Sequence, residues 1–136
     1  RAFLECSSLI KISIPESVAL IGSRSFRECL LLQEIIIPKS VKINGQCSFY
    51  ECKSLKYIFL PSSIEIIESY AFYGCSSLIE MTIPKPFRQI GQIFIKLIKS
   101  VSNIIILSSM KIIESYSFSE CFGLDQITIP SSVISI

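Results

Sequence analysis

Hydrophobic residues recur at fixed positions of a repeat that fills the whole chain, and this repeat predicts the fold. The copies span 1–23, 24–46, 47–69, 70–92, 93–115 and 116–136 without insertions. Six columns of the repeat, at positions three, six, nine, twelve, fourteen and eighteen, are apolar in every copy. In the first copy they are Phe3, Cys6, Leu9, Ile12, Ile14 and Val18. One unit of this length cannot bury so many side chains alone. We therefore predict a single domain, a solenoid in which stacked coils join each column into a ladder.

Each unit contains one predicted strand. The spacing Leu9-x-x-Ile12-x-Ile14 ends in a period of two, which places the two isoleucines on one face of a strand. Proline follows at Pro15 and at the same column of four other units, and its missing N–H ends the strand. Strands of successive coils must run parallel, so we predict one continuous sheet. The rest of each unit is predicted as a second extended segment at columns eighteen to twenty-one and one 3₁₀ turn at Phe-x-x-Cys. Further turns are predicted near Gly22, Gly45 and Gly91.

The fifth unit departs from the pattern at four columns. Phe, Cys, Leu and Pro of the other units are replaced there by Ile95, Ile98, Val101 and Leu107. Hydrophobicity survives at each of these positions, so we expect the fifth coil to stack like the others. Drift within a repeat array explains the substitutions, and a locally altered binding surface is the alternative interpretation.

Charge and composition exclude several classes of function. The chain has 13 Lys and Arg against 11 Asp and Glu, a net charge of +2, which gives no electrostatic case for nucleic-acid binding. It contains no His, which removes histidine-based catalysis and the commonest zinc ligand. The most apolar stretch, 90–107, is interrupted by Lys96 and Lys99 and makes a poor membrane span. No phosphate-binding loop is present. We therefore predict no enzymatic activity, no cofactor, no nucleic-acid partner and no membrane span.

Two chemically active residue types also follow the repeat. Five of the six cysteines share column six, without a C-x-x-C pair, and we expect them to be reduced and inward-facing. Cys47 stands in column one, beside positions held by arginine and tyrosine in other units, and is expected to be exposed. Glutamates precede the cysteine column at Glu5, Glu28, Glu51 and Glu120. Since no second acidic column lies beside them, we interpret these carboxylates as a solvated outer edge and not as a calcium site.

The repeat resembles the leucine-rich repeat of the surface-protein-A, or BspA-like, type. The residues that carry the resemblance run from Leu9 to Pro15 and continue with Val18, Ile21, Gly22, Phe26 and Cys29. The resemblance covers the whole chain, and the composition is similar to that of protist surface-antigen members. It implies a right-handed leucine-rich repeat solenoid of the α/β-horseshoe class, dominated by β-structure. The parallel sheet would lie on the concave face, with turns and short extended or 3₁₀ segments on the convex side. The family has no catalytic residues to transfer.

The resemblance also implies a cell-surface or secreted protein that binds other proteins, such as host, matrix or cell-surface proteins. A cytoplasmic location is the alternative. The chain starts without Met, and we expect it to be a segment of a longer array.

One group of outward-facing positions has the composition of a protein interface. The strands of the second, third and fourth units place aromatic and aliphatic side chains among charged ones. We call this group the patch, and it consists of Glu34, Ile36, Lys56, Tyr57, Phe59 and Glu80. Aromatic anchors with a charged rim are typical of binding hot spots, although β-propensity alone also places aromatic residues on strands. We therefore predict a non-enzymatic module that binds a protein partner on its concave sheet. An intracellular scaffold or a spacer array without a ligand on this face is the alternative.

Overall fold

The computed structural model describes residues 1–85, 89–107 and 110–136 and shows a stack of coils in which each repeat unit forms one coil. Within those residues the regular structure consists of strands, with no helix. The strands are β1 Lys11–Ser13, β2 Leu20–Ile21, β3 Glu34–Ile36, β4 Ile43–Asn44, β5 Tyr57–Phe59, β6 Ile66–Ile67, β7 Glu80–Ile83, β8 Gln89–Ile90, β9 Asn103–Ile106 and β10 Gln126–Thr128. The predicted β-dominated solenoid with parallel sheets is confirmed.

The strands at columns eleven to fourteen pair in parallel, with a constant offset of one repeat unit. Lys11 lies opposite Glu34, and Glu34 lies opposite Tyr57. The prediction of one continuous sheet is wrong, however. β1, β3 and β5 form one three-stranded sheet, and β7, β9 and β10 form another. The interruption falls between the third and fourth coils.

A second set of strands runs along another side of the stack. It forms a four-stranded sheet of short strands in the order β2-β4-β6-β8, and each strand again pairs with the same columns of the next unit. A single parallel bridge between Ile112 and Ser135 continues the same columns in the last two coils. The predicted second extended segment is therefore present, but it is confined to columns twenty and twenty-one.

The corners of each coil are turns whose third residue has a positive φ. Cys29 N–H donates to Phe26 O at 3.2 Å, and the intervening Glu28 has φ 60°. That is the geometry of a type II turn, whereas the sequence predicts a 3₁₀ turn. The glutamate column therefore occupies a conformation that favours glycine, and the fourth coil has Gly74 there. Column one is built in the same way, as at Arg24.

The glutamate column is more than a solvated edge. Three of its members form ion pairs with neighbouring cations: Glu28 with Arg27, Glu51 with Lys53 and Glu120 with Lys96. The side chains of these pairs remain partly exposed to solvent, so each pair contributes little to stability.

The core lies between the sheets and turns, and the predicted apolar columns form it. In the second to fifth coils almost every described member of the six columns is buried, including Ile95, Ile98, Val101 and Ile104 of the divergent fifth coil. The first and last coils, which are covered from one side, are only partly buried. The fifth coil thus stacks as predicted. Phe87, the column-eighteen member of the fourth unit, lies outside the described residues.

Two predictions about cysteine burial are wrong. Cys6 is exposed and not inward-facing, because it lies in the first described coil, which packs only against the second one in this structure. Cys47 is buried and not exposed. Arg24 and Tyr70 of the same column are half-buried and share its positive φ, so the backbone conformation does not account for the difference. The short cysteine side chain stays within the corner, whereas the longer arginine and tyrosine side chains extend beyond it. Cys29, Cys52 and Cys75 are fully buried as predicted, Cys121 is partly buried, and all six thiols are free.

The phenylalanine column forms a ring stack through the core. From Phe3 to Phe72 the ring centroids are 5.2–5.3 Å apart and the planes are within 6° of parallel. In the fifth coil the ring comes from Phe94, one column early, and it meets Phe72 and Phe118 edge-on. Phe94 occupies a column that holds buried Ser or Ala in neighbouring coils. The aromatic stack therefore continues although Ile95 replaces the expected phenylalanine.

The substitution of proline by Leu107 has a structural consequence. Leu107 N–H donates to Ile83 O at 2.9 Å, a bond that proline cannot make. This bond continues the pairing of β7 with β9 by one residue. The fifth coil is thereby joined more closely to the fourth than a consensus coil would be.

Candidate functional site

The patch is assembled by the register of three strands. β3 and β5 pair so that Glu34 lies beside Tyr57 and Ile36 lies beside Phe59. Ile35 and Ile58, the alternate residues, point into the core, so the other side chains point out. The exposed fractions are 58% for Ile36, 44% for Tyr57 and 61% for Phe59. These three large apolar side chains are therefore neighbours on one solvent-facing surface, as the sequence predicts.

The charged members of the patch surround these apolar side chains. Glu34 and Glu80 occupy the same column as Tyr57, one coil before it and one coil after it. Lys56 directly precedes Tyr57 and is exposed. Among the described residues, neither glutamate has a cationic partner within salt-bridge distance. Glu34 faces Lys11 in register, whereas Glu80 faces the neutral Asn103.

A cleft opens in the patch where the first sheet is interrupted. Directly before these strands, Ile79 N–H still donates to Lys56 O at 3.2 Å. Beyond it, β5 and β7 do not form a ladder in the described structure. We call the resulting space the cleft. It has a volume of about 120 Å³ and is lined by Tyr57, Ile58, Phe59, Leu60, Glu80 and Thr82.

Sequence reasoning identifies half of the cleft and misses the other half. The patch already contains Tyr57, Phe59 and Glu80, but it does not contain Thr82, Ile58 or Leu60. Thr82 occupies column thirteen in the fourth unit, as Phe59 does in the third. Extending the patch by one coil along this column would therefore have included Thr82. The interruption itself has no signal in the repeat pattern, because the register of the repeat continues through it.

Another apolar cavity, of about 250 Å³, lies at the first coil and is lined by Phe3, Ile12, Val18 and Phe26, among others. These residues belong to the core columns. The cavity is therefore the uncovered side of the core in the first coil, and we assign no function to it.

Burial strongly perturbs the thiols of the cysteine column. It is the main reason why the pKa of Cys29 and that of Cys121 are each raised to about 11. Burial, followed by the neighbouring thiols of the column, also raises the pKa of Cys52 and of Cys75. Such thiols are protonated at neutral pH and are poor nucleophiles. These four cysteines therefore belong to the core and not to a reactive site.

The repeat architecture and its register agree with a comparison against protein families. A model of the BspA-type leucine-rich repeat region matches residues 1–121 and 92–136, with six copies. The chain belongs to the BspA-type leucine-rich repeat family. Repeats of this family form a general protein-interaction fold.

Two solved structures resemble this BspA-type chain. A leucine-rich repeat protein of T. pallidum superposes with a TM-score of 0.78 at 24% identity, over 89% of this chain and 59% of that protein. A leucine-rich cell surface protein from Faecalibacterium prausnitzii superposes with a TM-score of 0.79 at 30% identity, over 85% of this chain and 31% of that protein. The chain thus spans about three fifths and one third of their respective lengths. A comparison with curated protein sequences finds no match.

In 1–85, 89–107 and 110–136, no helix has the length and apolar character needed to span a bilayer.

Proposed function

We propose that the chain is a non-enzymatic module that binds a protein partner through the patch. The observation that carries this proposal is the side-by-side exposure of Ile36, Tyr57 and Phe59 on one strand surface. Exposed apolar clusters with a polar rim are typical of interaction sites, and aromatic side chains supply most of the binding energy at such sites.

Preorganisation supports this proposal. The alternate residues of β3 and β5 are buried, β3 is paired on both sides, and β5 is paired with β3 on one side. The aromatic side chains therefore stand on a backbone that is fixed before contact. Little conformational entropy needs to be lost on binding, which favours affinity from a small surface.

We further propose that the module acts at a cell surface. The neighbour from F. prausnitzii, which is 30% identical, is described as a cell surface protein. Antibodies raised against this chain should label intact cells that express the native protein. Labelling that requires permeabilised cells would contradict the proposed location without affecting the proposed binding surface.

Site-specific photo-crosslinking tests the proposed surface. A benzophenone amino acid is introduced at Phe59 and, in a matched control chain, at Phe122, which is also highly exposed but outside the patch. The chain with the probe at position 59 should form a defined adduct with a protein from surface extracts, and the control should not. Equal adducts from both positions, or an adduct from the control alone, would place the interface elsewhere. The absence of any adduct would favour a spacer array.

A further inference from the structure

The chemistry of the cleft indicates what part of a partner it accepts. A volume of about 120 Å³ is well below the range of about 300–1,000 Å³ typical of small-molecule pockets. The cleft therefore suits a single side chain better than a cofactor or metabolite. Its lining combines two aromatic rings, Tyr57 and Phe59, with one carboxylate, that of Glu80.

These groups share an affinity for a planar cation. The face of an aromatic ring carries partial negative charge and attracts a cation within about 6 Å of its centre. A carboxylate binds a guanidinium through two parallel hydrogen bonds, which a lysine ammonium cannot reproduce. Because Glu80 lacks an ion-pair partner within the described residues and faces Asn103 in register, its carboxylate is available to a cation from outside.

The charge balance around the cleft also favours a cation. Glu34 and Glu80 flank Tyr57 along one column, and Lys56 is the only cationic member of the patch. Lys11 faces Glu34 and offsets part of its charge. Glu80 is therefore the principal anion of the cleft, and Glu34 has a supporting role.

The chain already contains the same arrangement between two of its own coils. Arg27 lies with its guanidinium carbon 5.0 Å from the centre of the Tyr50 ring. The same guanidinium contacts one carboxylate oxygen of Glu28, Oε1, with Nε at 2.9 Å and with a terminal nitrogen at 2.8 Å. An arginine, a tyrosine and a glutamate thus fit together across one step of this solenoid. In the cleft the tyrosine and the glutamate are present, and the arginine is missing.

We propose, building on the function proposed above, that the cleft accepts an arginine side chain of the protein partner. Its guanidinium stacks against the rings of Tyr57 and Phe59 and bonds the carboxylate of Glu80. The partner segment is therefore basic and exposed, and arginine is preferred over lysine.

Matched peptides test this proposal while the partner is still unidentified. The full chain, labelled with ¹⁵N, is titrated with acetyl-Gly-Arg-Gly-amide and with the same peptide carrying citrulline, a neutral isostere of arginine, or lysine. The arginine peptide should shift the amide signals of Tyr57, Phe59, Glu80 and Thr82. We expect it to bind at least about tenfold more tightly than the citrulline peptide. Equal shifts by arginine and citrulline, equal binding of arginine and lysine, or no shifts at these residues in the millimolar range would overturn the proposal.

Substitutions that replace a carboxylate with a neutral amide identify which carboxylate binds the arginine peptide. Glu80→Gln should weaken binding of the arginine peptide about five- to tenfold and leave citrulline binding unchanged. Asp125→Asn, which removes an exposed carboxylate directly before β10, should leave both unchanged and serves as the control. An unaltered affinity in Glu80→Gln would refute the role of Glu80.

The test separates this proposal from the broader one. If a crosslinked partner loses affinity on Tyr57→Ala but not on Glu80→Gln, the patch still binds a protein and only the arginine assignment fails. If neither substitution changes the affinity of the partner, both proposals fail.

Discussion

The thiol of Cys52 donates a hydrogen bond to the carbonyl oxygen of Phe26, in the coil before it, at 3.0 Å. The same bond joins Cys29 to Phe3 and Cys75 to Phe49, each at 3.1 Å. The cysteine column thus links each coil to the phenylalanine column of the coil before it. Ile98 cannot donate such a bond, so the carbonyl of Phe72 lacks its thiol partner from the fifth coil.

Removing one thiol should destabilise the stack. Cys52→Ala deletes a buried side chain and one hydrogen bond, and we expect a loss of about 1–2 kcal/mol in the free energy of unfolding. Urea denaturation followed by circular dichroism measures it. The reciprocal change, Ile98→Cys, extends the thiol ladder but removes apolar volume, so its cost should stay below that of Ile98→Ala. An Ile98→Cys variant no more stable than Ile98→Ala would show that the thiol bond contributes nothing.

Stability should fall in alkaline solution. Burial raises the pKa of the thiols above that of the unfolded chain, to about 11 for Cys29 and Cys121 and in the same direction for Cys52 and Cys75. From about pH 9 upward the unfolded chain therefore releases protons that the folded chain keeps, which favours unfolding. The stabilisation is complete below this pH and is lost progressively as the pH rises towards the folded-state values. Each thiol adds a slope of up to about 1.4 kcal/mol per pH unit.

The slope attributable to one thiol can be isolated by comparison. Cys52→Ala should show a shallower decline than the parent chain when urea denaturation is repeated between about pH 8 and about pH 11. Parallel declines in the two chains would mean that Cys52 does not titrate differently in the folded state.

Glycine at column twenty-two should matter where another coil packs against it. A Cβ added at Gly45 would lie 2.8 Å from Ile21 O and 2.8 Å from Ser23 N, both backbone atoms of the preceding coil. A Cβ at Gly22 would meet only Ser25 Oγ, at 3.3 Å. We expect Gly45→Ala to cost about 1–3 kcal/mol and Gly22→Ala to stay within about 0.5 kcal/mol. Thermal unfolding of the two variants provides the measurement, and equal melting temperatures would contradict the close packing of coils at Gly45.

A substitution at the buried position of Asn44 should increase the stability of the protein. Asn44 occupies a column of isoleucines and is fully buried, and neither its amide oxygen nor its amide nitrogen has a hydrogen-bond partner among residues 1–85, 89–107 and 110–136. Burying an unpaired amide is unfavourable, so Asn44→Ile should raise the free energy of unfolding by about 1–3 kcal/mol. Ile67→Asn, the opposite change one coil later, should lower it. If chemical denaturation gives Asn44→Ile a lower free energy of unfolding than the parent chain, the side-chain amide of Asn44 must form hydrogen bonds in solution.

Much of this fold could be predicted from the sequence, because each position of the repeat occurs in six copies and its residue type can be compared among them. The buried columns, the parallel register and the ends of strands before Pro15 or Pro38 all follow from side-chain periodicity and the chemistry of proline. Positive φ at Glu28 or Arg24 could not be predicted, since neither residue favours that conformation, and the stack imposes it.

The candidate site could be predicted only in part. Alternation along β5 identifies Tyr57 and Phe59 as exposed neighbours. The cleft beside them depends on how β5 and β7 diverge between two coils with identical register. That divergence depends on tertiary geometry, and the residue types at each repeat position do not predict it. The same limit applies to Cys47, which is buried although the residue types of its column indicate exposure.

The proposed binding surface is tested most directly by the affinity of a crosslinked partner for a chain that carries Tyr57→Ala together with Phe59→Ala. Both side chains are exposed, so the circular-dichroism spectrum and melting temperature should stay unchanged. Binding, measured by biolayer interferometry, should weaken by about 1–3 kcal/mol for each residue. The control pairs Tyr116→Ala with Phe122→Ala, two exposed rings outside the patch, and should retain full affinity. Unchanged affinity in the patch variant, with the fold intact, would contradict the account and place the interface on another surface.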